Sequence, residues 1–507
     1  MNKESKASEI SRRRFLQSGS MLAAGTLLSS ALPFQKVFSM NPATGELMIG
    51  IQISAASFVD EGVTQVLDIL QEKGQVNTLF ISVFTYSAGA GGRQIPGFPY
   101  PGHGKKEDIS NFHGGNFATP HPEFYKDTVL KDTKAPDFGD LDILKMVLPE
   151  AKKRGMKVIP YLYDIWRNDT PNIDKLQEID LQGNHAISCC AYNPEYQGFI
   201  KGLTQDLCTS YEIDGLIWGS EHQGPFNNVI NGYFMREYGN IPTCFCEHHR
   251  KAAEKQGLNF ERVLEGFKKL MDFSTKSMAG KRPVDGYFVE FWRIIMDYPE
   301  IIAYEKVWTD GHNTTYSNIY KYAKAIRKDL QVGFHIWHNN SFSPFYRATQ
   351  NFDRFAEYAD FIKPVCYNIS GGGRYALYIG NIGNTIFHDV PKDELLKFNN
   401  HLLNYDDAMS METLPKTGLS PKDYVFRETK RALDEVQNKC KIYPGIDVGI
   451  PMKQERLTLP QDVYESTMAA LTAGAQGVIF SRKYSEVPLE NLAAGGKAVK
   501  EFKASKG

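Results

Sequence analysis

From residue 47 onward, short apolar runs alternate with segments in which apolar residues recur every three to four positions. Met48-Ile49-Gly50-Ile51-Gln52-Ile53 is the first run, and Val63, Val66, Leu67 and Leu70 follow at helical spacing with a stop at Gly74. Further strands are predicted at 77–84, 157–163, 214–218, 332–337, 360–367, 441–449 and 477–480. Helical periods lead into several of them: Phe199, Leu203, Leu207 and Tyr211 before the fourth, residues 320–330 before the fifth and 463–473 before the eighth. Runs that are apolar throughout suit strands buried on both faces. Eight of them alternating with helices predict an α/β fold, a (β/α)8 TIM barrel spanning 47–503. No internal repeat is visible. The tail after Tyr484 is too short for another domain, so a helix near 492–502 can only pack on the barrel.

Two long insertions interrupt the rhythm, in the loops after strands 2 and 4. Residues 87–140 carry Gly91-Gly92-Arg93, a Pro-Gly-aromatic run from Pro96 to His103, and the histidines His113 and His121. Residues 223–315 hold helix-period segments and the run Tyr287-Phe288-Val289-Glu290-Phe291-Trp292-Arg293. Both leave the side on which βα-loops build the mouth of a barrel, and both are expected to roof the pocket.

The net charge of −1 gives no reason to expect nucleic acid or an anionic membrane as partner. Ser11-Arg12-Arg13-Arg14-Phe15-Leu16-Gln17 followed by the apolar run 21–32 resembles a twin-arginine export signal. That run is about half the ~20 residues needed to cross a bilayer. Residues 1–40 are therefore expected to be a signal peptide and linker, the mature protein to be periplasmic or otherwise exported, and no span to remain in it. The oligomeric state stays open. Of seven cysteines, Cys244-Phe245-Cys246-Glu247-His248-His249 departs from the Cys-x2-4-Cys spacing of zinc sites, and no second such pair follows. It reads as an inert loop, with a metal or a disulfide as alternatives, and no cofactor is expected.

The chemistry centres on Asp214-Gly215-Leu216-Ile217-Trp218-Gly219-Ser220-Glu221. Glu221 falls where the fourth strand runs out, and a carboxylate there reads as catalytic. Glycoside hydrolysis generally needs one protonated and one ionised carboxyl group. Glu221 is the candidate acid, its pKa lifted by Trp218 and apolar neighbours. Asp447, in an apolar seventh strand, is the second candidate, with a structural ion pair to Lys363 or Arg482 as the alternative. Asp164 is the runner-up, and Glu290 and Glu305 are further carboxylates in the roof. Asp164, Trp218 and His222, the last following Glu221, join His335, Trp337, His338, Asn339, Tyr367, Asn368, Arg374 and Arg482 of other strand ends as candidate substrate-binding residues, where aromatic rings stack on sugars and polar groups bond hydroxyls. A metal-dependent isomerase or epimerase using His222, His335, His338 and Asp447 is a second reading, and a non-catalytic carbohydrate-binding barrel a third.

Asn193-Pro194-Glu195-Tyr196 with its helix and Tyr211-Glu212-Ile213-Asp214-Gly215 resemble the stretch before strand four in bacterial glycoside-hydrolase-like barrels, relatives of α-amylase-type and clan-A hydrolases. Ala359-Asp360-Phe361-Ile362-Lys363-Pro364 with Cys366-Tyr367-Asn368 is similar to their strand six, Tyr443-Pro444-Gly445-Ile446 to their strand seven, and Cys244–His249 to a cysteine-bearing loop among them. The resemblance covers roughly 47–484 and implies a carbohydrate substrate. It also implies Asn-Glu at the end of strand four and Glu at the end of strand seven, where this chain has Ser220-Glu221 and Asp447.

Overall fold

The computed structural model describes residues 46–94, 101–105, 111–232, 242–406, 409–451 and 456–506. The expected signal at 1–40 lies outside them. Eight parallel strand positions form the barrel: β1 Met48–Ser54, β2 Thr78–Thr85, β3 Lys157–Tyr163, β4 Gly215–Gly219, β5 Gln331–Ile336, β6 Phe361–Pro364, β7 in two pieces at Lys441–Ile442 and Gly445–Asp447, and β8 Gly477–Ser481. Each pairs with its sequence neighbours, and β8 pairs with β1. The first piece of β7 joins β6, the second joins β8, and a Val365–Gly445 bridge completes the ring. β6 and β7 are shorter than their apolar runs suggest.

Strand periodicity sorts the side chains. Phe80, Ile159, Tyr161, Ile217, Phe361, Tyr443 and Ile479 form one cluster that fills the barrel interior. Their neighbours in sequence, including Leu79, Val158, Leu162, Leu216, Trp218 and Ile362, pack in the larger cluster with the surrounding helices. Gly333 is glycine because a Cβ there would overlap the Phe361 ring. The helices start where polar caps permit. Asp142 caps 143–153 by accepting from the Lys145 amide, and Asn193 caps 194–210 ahead of Pro194 by accepting from the Glu195 amide. The C-terminal helix Leu489–Ala504 packs on the helices 63–74 and 460–472.

The connection after β2 carries little regular structure, but Asp206 of the helix 194–210 holds it down. The His121 amide, His121 Nδ1 (2.6 Å) and the Tyr125 hydroxyl all bond that buried carboxylate. The connection after β4 is helical, with Phe226, Phe245, Phe267, Phe291 and Tyr304 at the centre of a second apolar cluster. Two further connections are elaborated beyond the sequence expectation. β3 is followed by a hairpin, Gln177–Ile179 with His185–Cys189, and β6 by the helices 369–382, 392–403 and 426–436. No helix of the described residues is long and apolar enough to cross a membrane.

Candidate active site at the barrel mouth

Inward-facing positions near the C-terminal strand ends change from apolar to polar. Gln52 of β1, Tyr163 of β3, His335 of β5 and Lys363 of β6 lie above the apolar plug, and Glu221 stands just beyond β4. Hydrogen bonds join them in a continuous chain. Buried Lys363 donates from Nζ to Gln52 Oε1 at 2.7 Å and to His335 Nδ1 at 3.2 Å. With Nδ1 occupied as acceptor, the other ring nitrogen carries the proton, and His335 Nε2 donates to Glu221 Oε1 at 3.0 Å. Glu221 has 43 % of its side chain exposed, whereas His335 beneath it has 2 %. The chain therefore runs from a buried ammonium through an imidazole to an open carboxylate.

The electrostatics follow from that order. Burial would raise the Glu221 pKa, but the His335 hydrogen bond and the fields of His335, His338 and Arg374 override it and bring it to about 2. Burial pushes Lys363 down to about 7, with Glu221 opposing the fall. Burial and the Lys363 charge bring His335 to about 4, so it is neutral near pH 7. The expectation of a raised, protonated Glu221 is corrected here. Trp218, expected to lift it, lies on the opposite face of β4 and packs in the outer core.

Around Glu221, Tyr163 stacks on Tyr161 with ring centroids 4.5 Å apart, and its hydroxyl accepts from Gln52. Arg374, in the first turns of the helix 369–382, places its guanidinium 5.7 Å from the Tyr367 ring centroid. His338 is half-buried, and burial together with Arg374 lowers its pKa well below the usual range. Trp337 packs edge-on to Tyr346. Arg482 extends from β8 but commits its guanidinium to Glu486.

Asp164 stands at the end of β3, yet it is enclosed. It accepts from the Ile165 amide at 2.8 Å, the Tyr196 hydroxyl at 2.7 Å and the Ser220 hydroxyl at 3.0 Å. His222 Nε2 lies 3.2 Å from Oδ2, the oxygen that Ser220 also bonds, and the His222 ring stacks on Trp166 at 4.0 Å. Burial raises the Asp164 pKa, but His222 and Tyr196 overcome this and lower it. Burial lowers the His222 pKa, but Asp164 outweighs this and raises it. The two groups are buried side by side under the loop that begins with Glu221.

Asp447 is 0 % exposed and saturated. It accepts from the amides of Ser370, Gly449 and Ile450 and from the Thr458 hydroxyl, all between 2.9 and 3.1 Å. It ties the start of the helix 369–382 to the connection after β7 and pairs with neither Lys363 nor Arg482, which corrects both sequence readings of this residue. Asn339 and Asn368 are buried, and Asn368 finds no side-chain partner among the described residues. Glu290 is a surface group paired with Arg293. Glu305 is buried at the start of the helix 225–230, where burial lifts its pKa to about 7 although the Phe226 amide and the Asn227 side chain donate to it.

The structure therefore gathers Glu221, His335, His338, Tyr367 and Arg374 and withdraws Asp447, Trp218 and Asp164. Sequence reasoning missed Lys363 as a site residue, along with Gln52 and Tyr163. The available signal was a lysine inside the apolar run Phe361-Ile362-Lys363-Pro364-Val365, because a buried ammonium requires partners. His222, His335, His338 and Asp447 do not meet at ligand distance among the described residues. A cleft of about 1140 Å³ beside Lys157, Tyr211 and Arg327 lies at the opposite, N-terminal end of the strands, the end associated with stability rather than chemistry.

No protein-family model matches the chain, and no curated protein matches it in sequence. Solved structures do resemble it. The β-galactosidase of the haloarchaeon Halorubrum lacusprofundi aligns with a TM-score of 0.51 at 11% identity, over 90% of this chain and 58% of that one. The β-galactosidase of Marinomonas ef1 aligns with a TM-score of 0.50 at 9% identity, over 90% and 60%. The chain thus spans about three-fifths of the length of each. The glycoside hydrolase domain of PgaB (BpsB) from Bordetella bronchiseptica gives 0.48 at 9% identity, over 90% and 98%. Together with the ring of parallel strands, the likeness to the two β-galactosidases establishes a (β/α)8 barrel fold.

Proposed function

We propose that the protein is a glycoside hydrolase acting on a carbohydrate, with Glu221 as the ionised carboxylate at the anomeric centre. The observation that carries this reading is the half-open Glu221 carboxylate at the end of β4, backed by the buried His335–Lys363 pair. An oxocarbenium-like transition state carries positive charge, and a fixed carboxylate beside it stabilises that charge or attacks the carbon directly. His335 orients the carboxylate, and Lys363 fixes the imidazole tautomer. Tyr163, Tyr367, Arg374 and His338 supply the aromatic and polar surroundings that sugar rings and hydroxyls use.

The test uses a panel of aryl glycosides, whose good leaving groups need little protonation. Hydrolysis by the native protein, its loss in Glu221→Ala, and azide rescue giving a glycosyl azide of inverted configuration are expected for a carboxylate that attacks the sugar. Equal hydrolysis by native and Glu221→Ala proteins across the panel would remove the assignment.

We also infer export through the twin-arginine route, from Arg12-Arg13-Arg14 and the short apolar run behind them. Replacing Arg12 and Arg13 with lysine should leave the precursor in the cytoplasm. Unchanged export of that double variant would overturn the inference.

A further inference from the structure

Away from the mouth chemistry, three cysteines and a histidine from two separate loops converge. Cys190 follows the hairpin after β3, Cys244 and Cys246 lie in the connection after β4, and His249 sits in the first turn of the helix Glu247–Lys255. All four are buried, and their ligand atoms lie within 4.8 Å of one another. Cys190 Sγ is 3.5 Å from Cys246 Sγ and 3.2 Å from His249 Nδ1, and Cys246 Sγ is 3.8 Å from the same nitrogen. The Ile179 amide donates to Cys244 Sγ at 3.4 Å, the kind of bond that supports a thiolate.

We propose that Cys190, Cys244, Cys246 and His249 bind one zinc ion in a closed tetrahedral site. Zn–S bonds of about 2.3 Å place the sulfurs of a tetrahedron about 3.8 Å apart, and Zn–N bonds of about 2.0–2.1 Å bring a nitrogen slightly closer. The spacings here match that cage. Three soft sulfurs with one imidazole favour zinc over the oxygen-seeking cations. A Cys190–Cys246 disulfide would need the sulfurs at about 2.05 Å and would leave Cys244 and His249 unexplained. The local Cys-x-Cys-x2-His spacing is short of one ligand, which Cys190 supplies from a different loop.

The site joins the connection after β3 to the connection after β4. Four protein ligands leave no position for substrate, so the ion is a structural tie. Its reach extends to the mouth. Ser188 of the same hairpin pairs with Trp166, and Trp166 stacks on His222, the residue after Glu221. The proposal stands apart from the assignment of Glu221 and does not depend on the reaction.

The full chain is purified from zinc-supplemented cells, and metal is measured by plasma mass spectrometry beside a thiol count in denaturant with chelator. One zinc per chain and seven free thiols are expected. Cys244→Ser and His249→Ala should fall to background metal, while His249→Cys and the remote Cys440→Ser keep one equivalent. If the loop variants fail to fold, cobalt(II) added to reduced, metal-stripped wild-type protein decides instead. Intense thiolate-to-cobalt charge-transfer and tetrahedral visible bands support the site. A zinc-free protein with five thiols would show a disulfide, and seven thiols with no cobalt spectrum would show an unused cluster. Either result overturns the proposal.

Discussion

Glu221 differs from Asp164 and Asp447 in having room for another molecule. The latter two are saturated by protein donors, while Glu221 spends one oxygen on His335 and keeps 43 % of its side chain open. Glu221→Gln preserves size but removes the charge, and turnover of the preferred glycoside should fall by about two to four orders of magnitude, comparable to the loss of a positioned catalytic group. Asp447→Asn should instead act on stability. It turns an acceptor for four donors into a group with one acceptor oxygen, and thermal unfolding should reveal a loss of about 1–3 kcal/mol. Lys363 carries a pH signature. Its pKa is about 7 in the folded protein against 10.5 for a free lysine. The unfolded chain binds that proton more readily, so the cost to stability is complete below pH 7 and fades as pH rises from about 7 to 10.5. Urea titrations across that window should show native stability rising with pH relative to Lys363→Met, and a flat difference would contradict the assignment. Glu221 was legible from its place after a strand. The His335–Lys363 support was not, because partners on β4, β5 and β6 are remote in sequence and meet only when the sheet curls.

At the scale of elements, the strands with long apolar runs were legible almost to the residue. β3 matches its expected 157–163, and β2 and β4 are each displaced by one residue. The connection after β6 was not legible, and glycine explains part of this. Gly371-Gly372-Gly373 looks like a loop, yet it lies inside the helix 369–382, where a Cβ on Gly372 would collide with the backbone of Leu414 and Gly418. Close packing, not turn formation, selects glycine there. The loop after β2 shows the converse. Its histidines are expected in the roof of the pocket, but His121 is a latch to Asp206, and His103 bonds Glu61 and the Val487 carbonyl. Asp206→Ala removes the acceptor shared by His121, Tyr125 and Ser210. Hydrogen exchange across residues 117–130 should accelerate at least tenfold in that variant while the β1–β3 amides stay protected. Equal protection in the loop would show that the latch is dispensable.

Across the whole molecule, buried carboxylates set the acid limit. Glu428 lies between Arg347 and Arg431, and Glu486 between Arg482 and Lys483. Burial raises their pKa values, but the adjacent cations more than reverse this and hold them below the ordinary 4.5, as His222 holds Asp164 below 3.8. Depressed carboxylates contribute stability that is present above the unfolded pKa and is lost as pH falls through the folded one. Melting temperature should therefore hold above about pH 5 and drop steeply below about pH 4, and Glu486→Gln should flatten that drop. The ring itself is uneven. β2 and β3 pair along nearly their whole length, whereas β6 meets β7 through Lys441, Ile442 and the single Val365–Gly445 bridge. β3 with β4 and β7 with β8 also pair over only three residues, but β7 alone is broken in two, and a cylinder breathes first at its split stave. Its diameter is set on the β1–β3 side and adjustable on the β6–β7 side, where Tyr367 and Arg374 stand. Bulk added to a substrate on the Tyr367 side should thus be tolerated far better than the same bulk turned toward Tyr163.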